Sequence, residues 1–373
     1  MRRIEAAVLR AADGPYTVEP LDLADPGPGE VVVRIAGAGF CHTDQMGRAP
    51  GDAVTKPVIL GHEGAGVVEA TGPGVTGIAE GDAVVLSFDS CGSCRNCRDA
   101  RPGNCARMVE LNMAAVALDG VPRVTDGEGR PVHNRWFGQS SFATHALATV
   151  RNVVPVDRDL PLELLGPLGC GMQTGAGSVF FSLGVRAGDS LAIFGAGAVG
   201  LAAVMAARVA GAATIIAVDL NAERLDLARE LGATHTLNGS DIEPDGLAAK
   251  IRELTGDGAQ YSFDTTAVPE IVAAAVACLR TTGVCGLVGV GAREYRLDPT
   301  LLLMGRTVKG IIEGDAVPQT FIPRLVELWR QGRFPYDRLI ATYPLDQIGR
   351  AEADALAGKV VKPVLLPGAR EER

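Results

Sequence analysis

The stretch FGAGAVGLAAVMAARVAG, residues 194–211, constrains the fold of this chain more than any other. It begins where the apolar run SLAIF ends, and it sets Gly195, Gly197 and Gly200 in GxGxxG spacing at the mouth of an Ala-rich helical segment. Three glycines so spaced mean little by themselves. Between a strand and a helix each acquires a role. Gly195 permits a tight turn, Gly197 lets backbone approach a pyrophosphate, and Gly200 lets helix and strand pack closely. The helix N-terminus then faces the phosphates. Asp219 ends the next apolar run, 19 residues after Gly200. Its carboxylate can accept hydrogen bonds from both ribose hydroxyls of a dinucleotide and would repel a 2′-phosphate, so NAD is expected rather than NADP. Arg224 either reaches the adenosine ribose or sits on an exposed helix face.

From about Asp189 the runs SLAIF, TIIAV, THTLN, YSFDTT, VCGLVGV and TVKGII alternate with helical stretches such as AERLDLARELG and PEIVAAAVACLR. That rhythm predicts an α/β fold with a doubly wound parallel sheet over 172–314. At 373 residues the chain is too long for one ordinary core. Before residue 171 the short runs EVVVRIAGAGF, GAGVVEAT and DAVVLSF are separated by Gly/Pro turns, a pattern of antiparallel, barrel-like structure. The helical segment VPQTFIPRLVELWRQG and the tail from Leu345 to Pro367 are expected to return to this first domain, giving it 1–171 and 315–373.

A net charge of −9, from 35 basic and 44 acidic residues without a Lys/Arg cluster, offers no footprint for nucleic acid or an anionic membrane. Small molecules are the expected partners. The uncharged run from Ser190 to Ala207 approaches membrane-spanning length, but its turn motif makes it a buried strand and helix. The N-terminus MRRIEAAVLRAADG has no apolar stretch of signal-peptide length, so a cytoplasmic, reducing setting is expected. There, clustered cysteines more often hold metal than form disulfides. The segment CGSCRNCRDARPGNC at 91–105 carries four of the eight cysteines, Cys91, Cys94, Cys97 and Cys105. Four thiolates complete a tetrahedral zinc shell with no open position, which makes a structural site. A catalytic zinc needs three ligands and a vacancy. Cys41 in GFCHTD, His62 in GHEGAG and Cys170 in LGCGMQTGAG, each flanked by small residues, form the Cys2His set that suits it.

GHEGAGVVEATGPGV, the four-cysteine segment, LGCGMQTGAG and the later GxGxxG together resemble the zinc-containing medium-chain alcohol dehydrogenase family over essentially the whole chain. SFDSCGSC, FGQSSFATHA, ELLGPLGCGMQTGAG, CGLVG and EGDAVPQTFIPRLVELWRQGRFPYDRLI are most similar to its NAD-dependent aryl-alcohol (benzyl-alcohol) members. The resemblance implies a GroES-like β-barrel catalytic domain beside the Rossmann domain. It also implies a reaction that interconverts primary aryl or allylic alcohols and aldehydes by hydride transfer. By the same resemblance Cys41, His62 and Cys170 bind the catalytic zinc, Glu63 is an acidic neighbour of the metal, and Asp44 holds the His62 ring. Thr43 takes the alcohol proton, and His42 contacts the pyrophosphate. Met46 stands where the family often has a relay histidine. Lys362 is expected to pair with phosphates and Asp44. Phe88, Trp136, Phe137, Val290 and Ile312 match positions near the substrate channel, Val290 also beside the cofactor. His133, His145 and His235 have no ligand-like setting, and Cys278 and Cys285 look like small apolar core. The edge strands of such a sheet commonly pair across a two-fold axis, so a homo-oligomer, dimer or tetramer, is expected. Other readings are a dehydrogenase for other medium-chain or terpenoid alcohols, a zinc-free NADPH quinone or enone reductase of the same shape, or an idle binding protein.

Overall fold

The β-branched runs of the first half pair as their composition dictates. In the computed structural model, which describes residues 1–49, 54–291 and 294–368, Glu30–Gly39 is the central strand of a seven-stranded sheet. One side of it pairs with Gly64–Thr71, followed by Ala83–Leu86 and Val153–Val156. Its other side is shared, His145–Thr149 taking the first half and Lys362–Leu366 the end. With neighbours on both flanks the strand carries an almost continuous buried run, Val31, Val32, Val33, Ile35 and Ala38. A four-stranded antiparallel sheet runs in the order Val58–Ile59, Arg2–Leu9, Tyr16–Leu23, Val124–Thr125. The expected antiparallel arrangement has one exception: Ile340–Pro344 and Lys362–Leu366 are parallel. The helix Ile348–Leu356 lies between them in sequence and makes the crossover that a parallel pair requires.

The second half folds as a parallel six-stranded sheet in the order His235–Asn238, Thr214–Asp219, Ser190–Phe194, Ala259–Asp264, Leu279–Leu287, Thr307–Gly310. Counted along the chain this is 3-2-1-4-5-6, the doubly wound order with its switch point beside Ser190–Phe194. The helix expected to run through CLR stops earlier, at Ala277, because Cys278 N–H closes on Ala274 and Leu279 already pairs with Ala259. Cys278 and Cys285 are buried in the core with Phe194, Ile216, Leu247 and Ile251. Desolvation pushes the Cys285 thiol up to about 12, which makes it inert packing.

The chain forms two compact units, one of Met1–Cys170, Val317–Leu325 and the chain from Asp337 on, the other of Gly171–Ala316 and Val326–Tyr336. The division therefore falls inside the helix Pro318–Arg330 instead of ahead of it, since Trp329 and Tyr336, whose rings are 5.7 Å apart, belong to the second unit. Among the described residues no helix is long and apolar enough to cross a membrane. The run 190–207 is a strand, a turn and the start of the helix Ala198–Ala210.

That turn fixes the second unit's geometry. Gly195 has φ +93°, and a Cβ on Gly200 would lie 1.8 Å from the Gly195 carbonyl oxygen. Helix and turn backbone are in direct contact, with no room for a methyl group. Gly200→Ala is expected to lower stability by about 1–3 kcal/mol through forced separation of the two, measured as a lower urea midpoint with loss of dinucleotide binding.

Candidate active site and metal centres

Cys91, Cys94, Cys97 and Cys105 meet on a loop whose only regular pieces are Arg95–Arg98 and Pro102–Asn104. Cys94 and Cys97 sulfurs are 3.5 Å apart and those of Cys91 and Cys97 4.0 Å. Thiolates about 2.3 Å from a tetrahedral zinc are about 3.8 Å from each other, so the spacing fits an ion and is too long for a disulfide. Backbone N–H groups of Cys91, Cys94, Ala106 and Arg107 donate to the cluster's sulfurs at 3.3–3.5 Å. The amides of Ser93 and Cys94 draw Cys91 down to about 5, while burial and its neighbouring thiols push Cys97 up to about 12. A central cation removes that conflict, and a shell made wholly of sulfur leaves no place for substrate.

The second cluster is assembled from distant segments. Cys41 follows Glu30–Gly39 and begins the helix His42–Arg48, His62 and Glu63 directly precede Gly64–Thr71, and Cys170 follows the single turn Gly166–Gly169. Pairing of Ala38 with Gly64 brings the first two segments side by side. Ligand atoms of Cys41, His62, Glu63 and Cys170 all lie within 4.8 Å of one another. This closeness depends on Gly39, where a Cβ would sit 2.0 Å from a Glu63 oxygen. His62 Nδ1 is 2.8 Å from Asp44 Oδ1. Nε2 is buried with no partner. A proton held on Nδ1 by a carboxylate leaves Nε2 with its lone pair, the tautomer a metal needs. Burial opposes a charged ring, yet Asp44 and then Cys41 outweigh it and hold its basicity well above the ordinary imidazole value. Contact with Cys170, against the opposing effect of burial and helped by Lys362, holds the Cys41 thiol well below its usual range. Two cysteine sulfurs and one imidazole whose buried Nε2 has no partner fit a zinc ion with a position left open.

Asp44 is fully buried and accepts four donors: Cys41 N–H at 3.1 Å, Gly61 N–H at 3.1 Å, His62 Nδ1, and the Trp136 indole N–H at 2.9 Å. Lys362 is not its partner, contrary to expectation. Lys362 Nζ instead lies 2.9 Å from both Glu63 oxygens and 3.3 Å from the Phe40 carbonyl, all buried. Asp44 already has a full set of donors, whereas the Glu63 carboxylate needs a cation. Burial works against the lysine's charge, but Glu63 outweighs it and keeps the ammonium protonated.

Thr43 Oγ1 is half-buried, 3.8 Å from Cys41 Sγ, and His42 and Met46 are exposed on the same short helix. Phe88, Trp136 and Phe137 are each at most 3% exposed. Phe137 stacks on the His62 ring with centroids 4.5 Å apart, and Trp136 meets Phe137 edge-on at 5.3 Å. Gln139, which the sequence does not single out, donates Nε2 to the His62 carbonyl at 2.9 Å and accepts Gly64 N–H at 3.0 Å. Of the remaining histidines, His145 bonds Thr144 and Glu69, His133 is half-buried, and His235 is exposed at a strand end.

The second unit carries the other motif. Gly197 begins the helix Ala198–Ala210 and has nothing within 4 Å of where its Cβ would be, so backbone is open to a ligand. Asp219 accepts Ala196 N–H at 2.6 Å and Asn221 N–H at 2.8 Å, which anchors its carboxylate at the glycine turn. Arg224 is half-buried with its Nε unpaired, in the first turn of Ala222–Leu231. Val290 is 60% exposed and Ile312 half-buried, both in this unit.

Residues 27–158 match the alcohol dehydrogenase GroES-like domain and residues 198–330 the zinc-binding dehydrogenase domain. Geraniol dehydrogenase of Castellaniella defragrans is 50% identical over 367 residues, covering 97% of each chain. An alcohol dehydrogenase zinc-binding domain protein from Burkholderia ambifaria superposes with a TM-score of 0.95 at 49% identity, over 98% of this chain and 99% of that one. Benzyl alcohol dehydrogenase from Acinetobacter calcoaceticus does so with 0.94 at 40% identity, over the same shares. The metal cluster, the glycine turn and these matches converge: the chain belongs to the zinc-binding medium-chain alcohol dehydrogenase family.

Proposed function

We propose that this zinc alcohol dehydrogenase uses NAD to interconvert primary allylic or aryl alcohols and their aldehydes. The observation that carries the reading is the buried group of Cys41, His62, Glu63 and Cys170, with His62 Nε2 unbonded. Zinc bound there supplies a Lewis acid for an alcohol oxygen, and NAD supplies the hydride acceptor. Cys41, His62 and Cys170 hold the metal, and Asp44 keeps the imidazole in the required tautomer. Thr43 Oγ1 accepts the alcohol's proton and passes its own onward. Met46 has no basic group, so the proton leaves through water or the exposed His42. Relatives named for geraniol, an allylic alcohol, and for benzyl alcohol support the substrate class. Phe88 supplies apolar surface for such a substrate. Asp219, anchored at the glycine turn, supports NAD. Lys362 neutralises Glu63 beside the metal ligands, and in the second unit Arg224 and Val290 lie beside the dinucleotide. Exposed Leu302, Leu303 and Met304 ahead of the edge strand Thr307–Gly310 fit a homo-oligomer, and eight free cysteines fit the cytoplasm.

Freshly purified protein is expected to contain two zinc ions per chain by elemental analysis. It should oxidise geraniol and benzyl alcohol with kcat/KM at least about tenfold above ethanol, since each buried methylene contributes at least that order of discrimination. Ethanol as the better substrate would remove the substrate assignment, and fewer than two zincs would remove the two-site assignment.

Asp219→Ala deletes both the ribose acceptors and the repulsion of a 2′-phosphate. The NAD over NADP preference in kcat/KM should fall roughly ten- to hundredfold, the value of one or two charged hydrogen bonds. A wild type that works better with NADP than with NAD would overturn this assignment.

A further inference from the structure

The segment Trp136–Ser140 forms one irregular turn in which Phe137, Gly138 and Ser140 have φ of +50°, +68° and +52°. A left-handed backbone is costly for a phenylalanine and persists only where its surroundings enforce it. Here the enforcement is visible. Ser140 Oγ accepts Trp136 N–H at 2.9 Å and donates to the Ile59 carbonyl at 2.6 Å. Asn152 Nδ2 donates to the Gly138 carbonyl at 3.2 Å. What the strained turn presents is a set of contacts to His62 and to the carboxylate that holds it. Phe137 covers a face of the His62 ring, Gln139 brackets the His62 backbone, and Trp136 donates to the same Asp44 oxygen that holds Nδ1. Trp136 in turn packs at the buried Gly47, where a Cβ would lie 3.3 Å from its ring. Among the described residues, the hydrogen bonds to the Asp44 carboxylate come from the amides of Cys41 and Gly61, the His62 ring and this turn.

We infer that the turn Trp136–Ser140 is a positioning device for the metal-binding imidazole, with Trp136 acting through Asp44 to fix the plane and tautomer of His62. Trp136 and Phe137 then serve as holders of the ligand more than as walls of the substrate channel. The inference rests on the zinc dehydrogenase reading and adds residues to it. It separates from a wall role by one criterion. Loss of a wall changes the ratio between large and small alcohols. Loss of a ligand holder changes turnover of all alcohols alike and weakens one of two metals.

The test is Trp136→Phe, which keeps an aromatic ring and deletes the N–H. In the intact protein, one of the two zincs should be lost to a chelator about tenfold faster, with the other unchanged, as for removal of other groups that orient metal ligands. In cobalt-substituted protein the visible absorption bands should shift. kcat for ethanol and benzyl alcohol should fall by similar factors. Trp136→Phe placed on Asp44→Asn should add less than it does alone, because the route through Asp44 is already cut. If Trp136→Phe does not fold, benzothienylalanine at 136 keeps the bicyclic ring without the N–H and should show the same losses. Unchanged release and spectrum with a selective change for benzyl alcohol, or full additivity with Asp44→Asn, would overturn the inference while leaving the dehydrogenase reading intact. A wild type without zinc overturns both.

Discussion

The buried carboxylate of Asp44 is the interaction on which the first unit's chemistry depends. Removing such an anion from water costs several kcal/mol, and four donors offset it, each worth about 1.5–3 kcal/mol when the partner is charged. They come from four places: the amide of Cys41, the amide of Gly61, the His62 ring and the Trp136 indole. The carboxylate can be satisfied only when the end of one strand, the start of the next and the turn at 136–140 are all in place. One residue thereby sets two ligand-bearing segments in register.

Charge balance around the cluster completes the constraint. Asp44, Glu63 and Cys41, whose thiol is held below its usual range, share one region with Cys170 and Lys362. Lys362 reaches it from the returning tail strand, which pairs with the end of Glu30–Gly39. Half of the pair alone would be an uncompensated buried charge, the costly case for buried ions. A divalent cation held there would supply positive charge to this region.

Motifs whose parts lie close together along the chain are legible in the sequence. GxGxxG needs only its own strand and helix, and the four cysteines at 91–105 need only their loop. Cys41, His62 and Cys170 each stand among small neighbours, but their grouping, and Asp44 as the partner of His62, are read from the family resemblance. Partnerships spanning the chain are not. Asp44 and Trp136 are 92 residues apart, Lys362 and Glu63 299, and residue type alone offers either cation or either acid as a partner. Trp136 and Phe137 read as pocket walls in the sequence, where an aromatic pair carries no mark of the contacts to Asp44 and His62. Gln139 carries no signal, since a glutamine in a turn is ordinary until its amide is seen between His62 and Gly64. The boundary at Leu279 is hidden for a similar reason: pairing with Ala259 decides it, against an alanine-rich helical composition.

The two metal-binding regions are joined by bonded contacts through the same turn. At the root of the cysteine loop, Asp89 N–H donates to Asn112 Oδ1, Asp89 Oδ1 accepts Ser90 N–H and Thr149 Oγ1, and Arg151 Nε donates to the Ser90 carbonyl. Thr149 N–H donates to Asn152 Oδ1, and Asn152 Nδ2 reaches the Gly138 carbonyl. Gly138 is itself packed against this root, where a Cβ would lie 2.9 Å from that of Asp89. The loop at 91–105 has no apolar core of its own beyond Cys105, so an ion held by its four sulfurs would order it. The ordered root then backs the left-handed turn that faces His62. An ion at the four cysteines would thus act on the backbone that packs against His62, a physical role for a closed centre that holds no substrate.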